Sequence, residues 1–168
     1  GLGGPPWENV VDMATDRNGN TYILSNVLKN NIDVSGTLRQ GYGQTDEMLS
    51  SYSCDGKLRW VKLLGTKEAD NPRKLRTDKV DGVYVASWFY RFYYDTVFID
   101  NDTTITAKEH LKGNCLIKFD TSGNFKWLRM PEPDSVSFNT TSSKNFTIDV
   151  DIDSAGNSYL FMQLSNGL

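Results

Sequence analysis

Asp16-Arg17-Asn18-Gly19-Asn20-Thr21-Tyr22 returns as Asp78-Lys79-Val80-Asp81-Gly82-Val83-Tyr84 and again as Asp153-Ser154-Ala155-Gly156-Asn157-Ser158-Tyr159. In each copy an Asp opens the segment, a Gly lies near its far side, and a Tyr falls six residues after the Asp. Asp and Asn close tight turns through their own side chains, and Gly accepts positive φ, so the pattern predicts three hairpin turns. An alternating apolar run precedes each turn, as in Ile148-x-Val150-x-Ile152. A β-rich run follows each one, as in Tyr22-Ile23-Leu24 and Val83-Tyr84-Val85.

A second pattern interleaves with the first. Met48 to Trp60 matches Cys115 to Trp127 when Gly56 is set on Gly123, which pairs Leu49 with Leu116, Tyr52 with Phe119 and Trp60 with Trp127. This predicts another hairpin, with a Trp four residues beyond the turn glycine on the return strand. The first pattern recurs at 62 and 75 residues and the second at 67. Each period therefore holds two hairpins, or four strands, which is the blade of a β-propeller. The expected fold is all-β: a propeller fragment of about two and a half four-stranded antiparallel blades. No stretch carries apolar residues at helical spacing for three turns. The expected divisions are 1–8 (a linker or the end of a preceding blade), 9–65 (blade one), 66–130 (blade two) and 131–168 (the first hairpin of blade three). Propellers close with 4–8 blades, so these 168 residues are expected to belong to a longer protein.

Composition narrows the partners. Lys plus Arg number 18 against 21 Asp plus Glu, a net charge of −3 that argues against nucleic acid or an anionic membrane surface. No apolar run approaches the roughly 20 residues of a membrane span. Cys54 and Cys115 with the single His110 are too few for a structural zinc site, and either two free thiols or one disulfide fits the pair.

The patterns resemble the SBBP β-propeller repeats of bacteria. Asp16 to Tyr22 and Asp153 to Tyr159 match the first half of that repeat, and Leu116-Ile117-Lys118-Phe119-Asp120 through Trp127 matches the second half. Asp55-Gly56 through Trp60, Lys62 and Gly65 match the second half as well. The sequence departs from the repeat at Val80-Asp81-Gly82, where the glycine moves one place, and at Ser50-Ser51, where a Lys is usual. The resemblance implies a secreted or cell-surface protein, as in Bacteroidetes-like bacteria exporting through the type IX system. It also implies a propeller serving as a rigid platform for binding or adhesion, and it brings no catalytic residues with it.

The residues themselves offer little catalysis. His110 lies in the charged stretch Lys108-Glu109-His110-Leu111-Lys112, and no nucleophile elbow is present. Gly41-Tyr42-Gly43-Gln44 lacks the Lys of a phosphate loop and reads as a flexible insert. Asp149, Asp151 and Asp153 alternate on one face, as an edge strand or a cation site would. Asp16-x-Asn18-x-Asn20 has the early spacing of a calcium loop, but Val27 stands where its acid should be. Turn closure and calcium are both open there, and no other cofactor is implied.

The densest anomaly is Trp88-Phe89-Tyr90-Arg91-Phe92-Tyr93-Tyr94, in the second insert. Period-two alternation places Trp88, Tyr90, Phe92 and Tyr94 on one face, expected inward, and Phe89, Arg91 and Tyr93 on the other. The second set is the candidate contact for a protein or glycan, since Arg between rings suits a carboxylated sugar or an acidic peptide. A small satellite core under the insert is the competing role. Three functional classes stay open: a non-catalytic binding platform, a quinoprotein-type dehydrogenase propeller, and a structural subunit of a surface machine. The remaining blades of the same protein are the expected structural partners.

Overall fold

The computed structural model describes residues 2–3, 9–28, 32–35, 37–78, 80–89, 96–101, 103–106, 113–130 and 146–163. Every regular element among them is a strand. The first stretch holds β1 (Leu2–Gly3), β2 (Asn9–Thr15), β3 (Thr21–Leu28), β4 (Ile32–Val34), β5 (Thr37–Arg39), β6 (Thr45–Tyr52) and β7 (Leu58–Gly65). The second holds β8 (Asp70–Thr77), β9 (Gly82–Phe89), β10 (Thr96–Ile99), β11 (Thr103–Thr106), β12 (Gly113–Asp120) and β13 (Phe125–Arg129). The hairpin β14 (Phe146–Ile152) and β15 (Ser158–Gln163) follows. Blade one has the spatial order β2-β3-β6-β7, blade two β8-β9-β12-β13, and β14-β15 form the inner half of a third, all antiparallel. The chain is an all-β propeller fragment of two and a half blades.

The repeated Asp makes the hairpins. Asp16 Oδ1 accepts the amides of Asn18 and Asn20 at 2.8 and 3.0 Å, while Oδ2 accepts the Asn20 side-chain amide and the Tyr22 hydroxyl, both at 2.8 Å. Asp153 repeats this set with Ala155, Asn157 and Tyr159. Burial works against the Asp16 charge, yet the bonds from Asn20, Tyr22 and Asn18 hold its carboxyl below the ordinary value. Turn closure is therefore the role these carboxylates carry, with four donors on Asp16. At the second copy no residue of positive φ is seen, and Asp78 Oδ1 accepts the amides of Val80, Asp81 and Gly82 instead. Gly82 is wanted there for closeness: a Cβ would lie 2.3 Å from Asp78 Oδ2.

The Tyr of each turn points from the front face of its blade into the next blade. Tyr22 and Leu24 of blade one pack on Leu75, Val83, Val85, Ile117 and Phe119 of blade two. Tyr84 and Ala86 of blade two pack on Val150 of β14. Trp60 and Trp127 hold equivalent places, opposite Ser51 and Lys118, with ring centroids 5.8 and 6.1 Å from Tyr22 and Tyr84. Each indole is half-buried rather than enclosed. Trp60 lies flat on the next blade's turn: its Nε1 donates to the Thr121 carbonyl at 3.1 Å, and a Cβ on Gly123 would come within 2.9 Å of the ring. The Ser50-Ser51 departure also finds its reason. Lys118 sits 4.9 Å over Tyr84 in blade two, whereas in blade one Arg59 reaches past Ser51 to the Tyr22 hydroxyl, bonding both.

Near the propeller axis the innermost strands are tied by one guanidinium. Arg76 of β8 bonds Asp12 of β2 at 3.1 Å and Asp149 of β14 at 2.7 Å. Asp149 is thus an ion-pair partner, Asp151 bonds the Ile152 amide, and Asp153 closes its turn. The three acids have three separate tasks.

Candidate functional site

The variable inserts converge at the outer rim. Blade two's insert forms the hairpin β10-β11, which reaches back to pair with the outer strand of blade one, Phe98 on Gly65 and Ile99 on Leu64. Blade one's insert forms β4-β5, which pairs in the same manner with β1, Asp33 on Gly3 and Val34 on Leu2. Each insert hairpin is therefore a strap laid on an outer strand. Apolar alternation drives the docking: Val97 and Ile99 enter the core between blades one and two, and Ile32 and Val34 pack with Val27, Met48, Val61 and Leu63.

Polar contacts join the two straps. Asp100, at φ 54 in the turn after β10, accepts from Arg39 Nη1 of β5 at 3.2 Å and from Lys62 Nζ of β7 at 3.0 Å. Its amide donates to the Leu63 carbonyl at 2.6 Å. The rings of Tyr42 and Phe98 stack with centroids 4.7 Å apart and planes 12° from parallel.

Beneath the rim lies an acid cluster that the sequence patterns did not reveal. Asp46 accepts the amides of Tyr42 and Gly43 at 2.9 and 3.2 Å, and Asp70 accepts the Thr66 hydroxyl at 2.9 Å. Both carboxylates close over Gly65, where a Cβ would lie 2.2 Å from Asp46 Oδ1 and 2.8 Å from Asp70 Oδ2. Fully buried Glu47 accepts the Ser87 hydroxyl on Oε2, and its Oε1 has no partner among the described residues. Burial, with the charges of Asp70 and Asp46 adding to it, pushes the Glu47 carboxyl well above its ordinary value, while Ser87 and Arg73 oppose the shift. Burial likewise pushes up the Cys115 thiol, which shares this seam. The signal available in the sequence was Thr45-Asp46-Glu47-Met48-Leu49, where acids sit at the start of an apolar strand.

A buried acid of raised value has a definite consequence for stability. The folded chain keeps a proton that the unfolded chain releases, so this contribution is full below the ordinary value of 4.5. It is lost as pH rises from there toward the folded value. Glu47→Gln keeps the shape and an acceptor for Ser87 while removing the titration. The variant should be more stable than the parent at neutral pH and should flatten the fall of unfolding free energy between mildly acid and neutral pH. Denaturant melts across that range check this, and parallel slopes for the two proteins would exclude the raised Glu47.

The expected ligand-facing set is corrected at Phe89. It is fully buried in the seam between the blades, in phase with Val83 and Val85. β9 is paired on both edges and covered on both faces, so alternation continues from Val83 and brings Phe89 into the core. Trp88, expected inward, lies on the opposite face and is half-buried. Arg91 and Tyr93, like Tyr90, Phe92, Tyr94 and His110, lie outside the described residues. Cys54 is exposed and Cys115 buried, and both are free thiols.

Set against known protein families and curated proteins, the chain finds no match. The reading of its function therefore rests on the geometry of blades and straps. No helix among the described residues is long and apolar enough to cross a membrane.

Proposed function

We propose that this chain is a non-catalytic binding or assembly platform built from propeller blades of the SBBP-repeat kind, within a larger secreted or cell-surface protein. The observation that carries the reading is the strap. The most variable parts of both repeats are folded onto the outer strands of rigid blades, so sequence variation is displayed at the rim without disturbing the seams. Support for a scaffold role comes from the acids of the repeated turns, whose oxygens are engaged in closing those turns.

Insert residues 90–95 carry the recognition chemistry, with Arg91 and Tyr93 toward a carboxylated sugar or an acidic peptide. The test is an array of carboxylated glycans and acidic peptides probed with the parent and with Arg91→Ala/Tyr93→Ser. The expected result is binding by the parent, loss of it in the double variant, and an unchanged melting temperature. Binding that survives both substitutions, or no binding by the parent, would overturn the assignment.

A further inference from the structure

Six large apolar side chains stand exposed among the described residues, and four of them lie on the two terminal blade faces. Tyr159 (52%) and Phe161 (55%) are on β15, at the front of the third blade. Val10 (64%) and Met13 (60%) are on β2, at the back of the first. Sequence period identifies each of them. Tyr159 and Phe161 correspond to Tyr22 and Leu24 and to Tyr84 and Ala86, all fully buried at a seam. Met13 corresponds to Leu75 and Val150, buried at the same two seams, and Val10 corresponds to the buried Pro72. Twice within this chain a front of that kind closes on a back of that kind.

We infer that the two open faces are complementary and that the front of one copy of this chain docks on the back of a second copy, head to tail. Three features select a second copy as the occupant. The extent of the faces agrees, because β14-β15 is only an inner hairpin while the outer half of the blade-one back is already covered by Ile32 and Val34 of its own strap. The polar contact can be reproduced, because Thr77 donates its hydroxyl to the Thr15 carbonyl across the first seam at 2.7 Å, and Thr15 occupies the Thr77 position on the open back. The contact also continues an interface that the molecule already makes twice. It is heterologous, so each docked copy leaves one front and one back free.

The inference rests on the blade reading and not on the binding role, so its failure leaves the array experiment untouched. Sedimentation equilibrium of the full chain should show average mass rising with concentration. Met13→Lys and Phe161→Lys, both at exposed positions, should each be monomeric with unchanged melting temperatures. Each variant keeps one good face, so an equimolar mixture should form a one-to-one pair and nothing larger. A parent chain monomeric at every concentration would overturn the inference. So would a single variant that associates like the parent, which indicates face-to-face packing or general stickiness, or a mixture that stays monomeric, which includes the case where the faces accept only another blade.

Discussion

Phe89→Ala should lower the unfolding free energy by about 3–5 kcal/mol, the usual cost of deleting a buried aromatic ring and leaving its cavity behind. Phe89 sits at zero exposure among Leu64, Val85, Val97 and Ile99, side chains drawn from both blades and from the strap. Removing its ring loosens three elements at one point, and the site has little freedom to collapse because strands on both sides are hydrogen-bonded. The measurement is urea denaturation, with a lower midpoint at an unchanged slope. A loss below about 1 kcal/mol would mean that Phe89 is not the anchor of this seam. The same variant separates packing from recognition, because binding per folded molecule should be preserved.

The second large effect is expected at Gly43→Ala. A Cβ there would lie 1.9 Å from the carbonyl oxygen of Glu68 and 2.6 Å from that of Thr66. Both are backbone atoms and cannot rotate away. The Gln44 amide donates to the same Glu68 carbonyl at 3.0 Å, and the Gly43 amide is one of the donors holding Asp46. Relief of the clash therefore moves a buried carboxylate off its donors. The overpacking alone costs about 1–3 kcal/mol, and the disturbed Asp46 adds to it. Gly56→Ala is the comparison: nothing lies within 4 Å of its Cβ position, so only its φ of +79° is strained, for about 1–2 kcal/mol. Thermal melts of the two variants should rank Gly43→Ala as the less stable. Equal stability with the parent would show that the loop retreats freely from Glu68.

The blades were legible because their information is local and repeated. Asp16, Gly19 and Tyr22 specify a turn within seven residues, and the Tyr22-to-Asp16 hydroxyl bond closes within that window. Trp60 and Trp127 could be equated from spacing alone, since each is placed by its own hairpin. What they touch could not be read in this way, because the Trp60 acceptor is Thr121, sixty-one positions along. The straps were hidden for the same reason. Nothing within Thr96–Ile99 announces a partner at Leu64 and Gly65. Parity at Phe89 was misjudged because the aromatic run was read on its own, whereas the strand's phase is set at Val83, next to the turn. Gly43 passed as a flexible insert because close backbone approach leaves no mark except the glycine itself.

The strap also bears on how the molecule is made. When a ribosome has released β7, the outer strand of blade one still presents an unpaired edge at Leu64 and Gly65. The residues that cover it, in β10, emerge some tens of positions later. At synthesis rates of about 5–20 residues per second, that edge waits for seconds. Each blade is thus completed by its successor, and biogenesis proceeds as a relay in which the growing end repeatedly reaches back to finish what precedes it. Stalling translation between Gly65 and Thr96 would leave a nascent chain whose blade-one edge is open to chaperones or to neighbouring nascent chains, and resumed elongation would close it.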